Sequence, residues 1–328
     1  MNSFLSLKTA SARPPKLAGG HRLCPGCGLG IIVKQVLATT TDPVIVVNAT
    51  GCLEICTSPF PQTSWQTPWI HSLFENAAAV ASGIDAARKA FIRKTPEISR
   101  GIKPQISGGI KNPKTFRKIK IIAFAGDGGT YDIGLQALSG AVERGHDFTF
   151  VCLDNEGYMN TGYQRSSASP LGAATSTSPT GKKIHGKQTV RKDIIGILAA
   201  HCIPYVAQAT PANHLDLMAK AAKAINTPGP AFLNIFSPCP TNWKSAPAAG
   251  MEICQNAVET NFWPLCEAEN GKWKINYQPK KRQIIEEFLK GQKRFRHLLK
   301  KENVKLKNRL QLEVDARWQR LLQLAKIR

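Results

Sequence analysis

Cys24-Pro25-Gly26-Cys27-Gly28 is the strongest local signal in the chain: two thiols three positions apart, in a turn whose glycines free the backbone. Such a pair suits a soft metal centre and by itself fits zinc, a redox dithiol or an iron–sulfur cluster. Zinc predicts a second CxxC or a His pair nearby, and neither is present, since His71 is remote. A thioredoxin-like pair sits between a strand and a helix, and no strand precedes this one. A [4Fe–4S] cluster takes four thiolates, which can come from distant segments. Cys52, in Thr50-Gly51-Cys52-Leu53, and Cys239, in Ser237-Pro238-Cys239-Pro240, each follow a predicted strand. Both belong at the carboxyl edge of a parallel sheet, where ligands collect. Cys152, inside a strand, and Cys202, after a helix, read as packed thiols. Cys56, Cys254 and Cys266 carry no assignment.

A second signal is Gly126-Asp127-Gly128-Gly129 at a strand end, followed 28 residues after Asp127 by Asn155 at another strand end. Glycines let the backbone approach a diphosphate, and the helix that follows offers free N–H groups to it. Asp127 and Asn155 then supply a carboxylate and an amide oxygen to Mg²⁺, a hard cation that prefers such ligands together with phosphate oxygens. A lone Gly-Asp-Gly is equally a turn capped by Asp. Paired with Asn at this spacing, both behind strands, it is the arrangement that binds thiamine diphosphate.

The elements that must position these residues are short apolar runs with helical patterns between them. Val44–Asn48, Ile119–Ala125, Phe148–Asp154, Tyr205–Ala209 and Ala231–Phe236 read as buried strands, rich in β-branched or aromatic residues. Helices are expected over 72–94, with Ser72 and Glu75 as a capping box; over 132–144, ending at Gly145 as a left-handed cap; and over 190–201 and 211–226. The alternation implies an α/β fold: a mainly parallel sheet with helices on both faces. Residues 95–118 read as an exposed insertion, and 165–189, rich in Ser, Thr, Gly and Pro, as a long loop of the kind that forms binding loops or lids. Three regions follow: an irregular arm over 1–18, a cofactor-binding domain over 19–270, and a basic helical arm over 271–328. The apolar points of that arm, Phe288, Leu289, Phe295, Leu298, Leu299, Leu310, Val314, Trp318 and Leu321, suit it to lie on another surface.

The chain of 328 residues carries a formal charge of +22. Alone, that excess points to nucleic acid or another acidic partner. Residues 279–328 contribute +11 and 91–120 contribute +8, leaving the remainder close to neutral. The charge thus belongs to two surface regions outside the chemical motifs. No apolar stretch is long enough to span a membrane. Nine cysteines, an odd number without a secretion signal, fit a reducing cytoplasm.

His21-Arg22-Leu23-Cys24-Pro25-Gly26-Cys27-Gly28, Ala49-Thr50-Gly51-Cys52-Leu53-Glu54, Trp69-Ile70-His71-Ser72-Leu73-Phe74-Glu75-Asn76, Gly126-Asp127-Gly128-Gly129, Asn155–Gly162 and Ser237-Pro238-Cys239-Pro240 occur in that order. Together, over residues 19–270, they resemble the β subunits of pyruvate:ferredoxin oxidoreductases (pyruvate synthases) within the 2-oxoacid:ferredoxin oxidoreductase family. Phe288–Phe295 resembles the C-terminus of such subunits.

The resemblance implies a thiamine-diphosphate-binding fold that holds thiamine diphosphate, Mg²⁺ and a [4Fe–4S] cluster. Cys24, Cys27, Cys52 and Cys239 match the cluster ligands. Asp127 and Asn155 match the side-chain ligands of Mg²⁺, and the carbonyl of Gly157 matches the third. Thr50, Gly51, Cys52, Leu53, Gly126, Gly128, Gly129, Met159 and Asn160 match positions lining the cofactor, with Asn160 near the reacting carbon in a catalytic role. The glutamate that activates the cofactor belongs to a separate α subunit in this family, so Glu54 and Glu75 read as structural. The implied reaction is oxidative decarboxylation of pyruvate with coenzyme A to acetyl-CoA and CO₂, reversible, with electrons passing to ferredoxin. It requires the α subunit, with γ and δ subunits as further partners. Gly51–Glu54 and His71–Gly83 favour pyruvate; a branched-chain 2-oxoacid is the nearest alternative. A nucleic-acid-binding protein with a zinc CxxC is the remote one.

Overall fold

A computed structural model describes residues 7–59, 61–99 and 117–326. Eight strands form one sheet: β1 Val44–Ala49, β2 Trp69–Ser72, β3 Lys120–Gly126, β4 Thr149–Asp154, β5 Tyr205–Ala209, β6 Ala231–Phe236, β7 Cys266–Glu269 and β8 Lys272–Ile275. Their order is β2-β1-β3-β4-β6-β5-β7-β8. The first six run parallel, while β7 and β8 are antiparallel additions at one edge. The described helices are α1 Leu7–Ser11, α2 Gly28–Leu37, α3 Cys52–Thr57, α4 Ala77–Ser99, α5 Leu135–Glu143, α6 Ile194–Ala200, α7 His214–Asn226, α8 Pro240–Trp243, α9 Gly250–Glu259, α10 Ile285–Leu289 and α11 Val304–Lys326.

Strand side chains alternate between two buried faces, as a covered parallel sheet requires. Val46, Ile122, Phe124, Val151, Leu153 and Leu233 pack with α2 and α7 on one face. Val47, Ile121, Ala123, Phe150 and Cys152 pack with α4, α5 and α6 on the other. Ala77, Ala78 and Ala81 of α4 are buried, and their small size lets the helix lie close to the sheet. The three-layer α/β architecture expected from the alternation is the observed one.

Several elements differ from expectation. Ser72 does not cap a helix. It ends β2, and its carbonyl accepts from both the amide and the hydroxyl of Thr50, each at 2.9 Å; α4 starts five residues later. The helix then continues to Ser99, into the segment read as an insertion, of which 100–116 lie outside the described residues. Asn270-Gly271, with φ of 47° and 77°, joins β7 to β8, a two-residue hairpin turn with the dipeptide such turns favour. Gly145 does adopt the left-handed cap, at φ 66°. Cys202 is exposed rather than packed, because its φ of 56° turns the chain out of α6.

The surface on which the basic C-terminal arm lies is this chain's own. Phe288, Leu289, Phe295, Leu298, Leu310 and Val314 are buried with Phe236, Trp243 and α9. Trp318 and Leu321 cover the β7–β8 hairpin. Leu299 is exposed.

Candidate active site

A cleft opens at the carboxyl ends of β1, β3 and β4. β2 lies on one side of β1 and β3 on the other, so the chain reverses its winding at this point. Such a switch leaves a crevice between the loops that leave in opposite directions. Thr50, Gly51, Cys52, Leu53, Gly126, Gly128, Gly129, Asn155, Gly157, Met159 and Asn160 all line it. Asn160 stands exposed at its mouth. Leu29, Asn48, Ala49, Phe74, Leu153, Tyr158 and Thr161, none of them expected as lining residues, make up the rest of the walls.

Glycine is required where the walls touch. A Cβ on Gly128 would lie 2.3 Å from the Tyr158 ring, and one on Gly129 would lie 2.8 Å from the Phe74 carbonyl. Asn48 sits on the floor, 1% exposed, with a side-chain nitrogen that has no hydrogen-bond partner. A buried donor of this kind costs free energy unless a ligand supplies an acceptor.

Asp127 is fully buried behind the cleft. Burial pushes its carboxyl well above the usual range, and the charges of Asp154 and then Glu156 push in the same direction. Its oxygens accept from the Asn155 amide at 3.3 Å and the Ser166 hydroxyl at 2.5 Å. One atom of the Asn155 amide head lies 2.9 Å from Asp127 Oδ1 and 3.0 Å from the Gly157 carbonyl oxygen. With nitrogen in that place the head donates to both. With oxygen there, it would stand from each of the other two oxygens at the spacing of adjacent ligands around octahedral Mg²⁺, about 3.0 Å for metal–oxygen distances near 2.1 Å. The donor set suits a hard cation, and a cation would favour the ionised Asp127 that burial opposes.

Part of the long loop over 165–189 packs into the domain. Ser166, Ala168, Ser169, Leu171 and Lys187 are buried, and Ser169 Oγ donates to the Glu156 carbonyl at 2.7 Å. Lys187 Nζ donates to the Ser169 carbonyl at 2.6 Å. The loop buttresses Asp127 and Glu156.

The second group of candidates assembles on the α2 side of the cleft. Gly28 donates its amide to the Pro238 carbonyl at 3.1 Å, and Arg22 donates to the Cys56 carbonyl at 2.8 Å. The CxxC turn is therefore held between the segment of Cys239 and α3, which begins at Cys52. Burial raises the Cys27 thiol to about 12, and the neighbouring Cys239, Cys24 and Cys56 add to the rise. Cys52 is raised by burial and then by Cys239 and Cys27. Cys239 is raised mainly by burial. Crowded, desolvated thiols of this kind become thiolates when a cationic centre binds them. Cys24 is exposed, and Cys56, one turn after Cys52, is a fifth thiol in the group. No three His, Cys, Asp or Glu side chains among the described residues surround a single ion. Tetrahedral zinc would draw its sulfurs to about 3.8 Å from one another.

The cleft lining contains no carboxylate, histidine or lysine among the described residues. No helix among the described residues is long and apolar enough to cross a membrane.

Residues 49–235 match the C-terminal thiamine-pyrophosphate-binding domain of thiamine pyrophosphate enzymes. The chain is 50% identical over 286 residues to pyruvate synthase subunit PorB of Methanocaldococcus jannaschii, covering 87% of this chain and 91% of the relative. It is 47% identical over 313 residues to the PorB subunit of Thermotoga maritima, covering 94% and 91%. Ketoisovalerate oxidoreductase subunit VorB of Pyrococcus abyssi is 42% identical over 310 residues, covering 94% and 93%. Among solved structures, the 2-oxoglutarate:ferredoxin oxidoreductase of Magnetococcus marinus shares the fold, with a TM-score of 0.50 and 22% identity over 71% of this chain and 76% of that one. The architecture, the cleft at the winding reversal and this similarity along nearly the whole length converge: the chain belongs to the PorB family of pyruvate synthase subunits, the β subunits of pyruvate:ferredoxin oxidoreductases.

Proposed function

We propose that the chain is the thiamine-diphosphate- and [4Fe–4S]-binding subunit of a cytoplasmic pyruvate:ferredoxin oxidoreductase, which converts pyruvate and coenzyme A to acetyl-CoA and CO₂, reversibly, with electrons passing to ferredoxin. The observation that carries the reading is the meeting of the Asp127 carboxylate, the Asn155 amide head and the Gly157 carbonyl behind a glycine-walled cleft. When bound, thiamine diphosphate supplies the carbon nucleophile and electron sink for decarboxylation, and the cluster accepts electrons singly.

The protein's own work is binding and orientation. Asp127, Asn155 and the Gly157 carbonyl would hold Mg²⁺ against the diphosphate, while Gly128 and Gly129 let the backbone approach it. Leu29, Leu53, Leu153 and Met159 keep water from the inner cleft. Asn160, at the mouth, presents its amide to the substrate. Cys24, Cys27, Cys52 and Cys239 would hold the cluster, and Cys52 also lines the cleft, so the two groups share a wall. Exposed Ile55, Ile70, Leu73 and Ile133 lie in or near the elements around the cleft. They suit docking of the α subunit, which brings the missing glutamate; γ and δ subunits complete the complex.

The similarity to a ketoisovalerate oxidoreductase subunit supports a branched-chain 2-oxoacid as the second reading. Anaerobic co-purification of the complex, assayed for ferredoxin reduction with coenzyme A and either pyruvate or 2-oxoisovalerate, separates the two. Pyruvate should give the higher kcat/KM; a preference for 2-oxoisovalerate would replace the first reading, and no ferredoxin reduction with either would refute both.

A further inference from the structure

Glu156 separates two of the residues assigned to the cation, Asn155 and Gly157. Its φ is 68°, a region that a residue with a side chain holds only where the surroundings impose it. Its carboxylate is fully buried and meets two guanidinium groups from outside the motif. Arg191 Nη1 donates to one oxygen at 3.0 Å, and Arg294 Nη2 donates to the other at 2.6 Å. Arg191 is shared with Asp154, at 2.6 Å. Arg294 comes from the basic C-terminal arm and is itself 3% exposed.

Arg294 grips the loop a second way. Its guanidinium lies 3.8 Å from the centre of the Trp243 ring, and Trp243 Nε1 donates to the Asn155 carbonyl at 3.0 Å. Its backbone carbonyl accepts from Ala174 of the buttressing loop at 3.0 Å, and Gln292 orients its side chain with bonds of 3.0 and 2.8 Å. Trp243 ends the short helix that starts beside Cys239, and Asn242 of that helix donates to the Met159 carbonyl at 3.1 Å. One buried side chain thus ties the arm, the Cys239 segment and the cofactor loop together.

We propose that Arg294 is a positioning residue that clamps the Asn155–Gly157 loop into its cation-binding form, so that the basic C-terminal arm is part of the cofactor site. This rests on the reading that Asp127, Asn155 and Gly157 hold Mg²⁺. Residues that orient metal ligands typically account for 10- to 100-fold in metal affinity.

The test uses the assembled complex, stripped of cofactor, with thiamine diphosphate binding followed by calorimetry across a Mg²⁺ series. R294M should raise the Mg²⁺ concentration needed for half-maximal binding by about tenfold or more. R317M is the control. Arg317 belongs to the same arm and bonds the Phe262 carbonyl at 3.4 Å and Glu313 at 2.8 Å. It feels the Glu156 charge only through space and makes no hydrogen bond to the loop among the described residues, so R317M should lower the melting temperature and leave the Mg²⁺ requirement far less changed than R294M does. Should R294M not assemble, R294K keeps the charge but not the two-nitrogen grip, and a smaller rise of severalfold is expected. An unchanged Mg²⁺ requirement in the Arg294 variant, or an equal rise in R317M, overturns the clamp alone. Absence of Mg²⁺-dependent binding in the unaltered complex overturns the cation-site reading and the clamp with it.

Discussion

Replacing Asn48 with leucine should make the cofactor-free protein more stable and the cofactor-bound protein harder to form. Asn48 stands in β1 on the same face as Val46, its side chain on the floor of the cleft with an amide nitrogen that has no partner. Leaving a buried donor unsatisfied costs about 1–3 kcal/mol, a cost that leucine, of nearly the same shape, removes. For a chain of this length a stabilisation of that size shifts the melting temperature by roughly 2–6 °C. The same donor, satisfied by an anionic ligand oxygen, contributes about 1.5–3 kcal/mol to binding, or about ten- to a hundredfold in affinity. The assay pairs thermal unfolding of the stripped complex with calorimetric titration of thiamine diphosphate at saturating Mg²⁺. N48L should melt higher and bind more weakly. Unchanged affinity would show that the amide does not meet the ligand, and a lower melting temperature would show that it already has a partner inside the protein.

Cys239→Ser should lose cluster iron while Cys202→Ser, at an exposed thiol, retains it, as iron quantitation of anaerobic preparations would report; equal iron in the two removes Cys239 from the ligand set. Asp127→Ala should abolish Mg²⁺-dependent thiamine diphosphate binding, and undiminished calorimetric affinity would contradict its assignment. Gly128→Ala places a Cβ against the movable Tyr158 ring, whereas Gly134→Ala places one 2.0 Å from the Gly129 carbonyl. The first should weaken cofactor binding with little loss of folded protein, and the second should sharply reduce folded yield, both read by cofactor titration and circular dichroism. Lys281, Lys293, Arg296, Lys300 and Lys305 leave an exposed basic face on the C-terminal arm, so the KM for an acidic ferredoxin should rise with ionic strength; insensitivity to salt would remove acceptor docking as the role of that charge.

The central strands were legible because a covered parallel sheet writes itself as short runs of β-branched and aromatic residues. Tyr205–Ala209 and Ala231–Phe236 fall where expected. The edges were less legible. Trp69–Ser72 is a four-residue edge strand with half its side chains exposed, and Ser72-Leu73-Phe74-Glu75 imitates a capping box. β7 and β8 carry Glu267, Glu269, Lys272 and Lys274, whose charges hide the strand pattern; Asn270-Gly271 was the available signal. Thr50, Gly128 and Asn155 line one cleft because each follows the end of a strand, and strand ends of a parallel sheet share one side. Glu156, Arg191 and Arg294 escaped because their partners are 35 and 138 positions away along the chain, and no local pattern encodes such a pairing.

Residue type and spacing alone marked out the thiol turn at Cys24 and Cys27, the glycine-rich strand end at Gly126–Gly129 and the mainly parallel core, since these depend on backbone freedom and hydrophobic period. Tertiary structure decided what the charged tail does. Its basic residues suggested an arm reaching for an acidic partner, yet its apolar points are buried in this chain and Arg294 points inward to a carboxylate beside the cofactor loop. The physical reason is that a buried guanidinium, which stays charged, is costly unless it finds acceptors or an opposite charge. Which opposite it meets depends on where the fold brings the ends of the chain together.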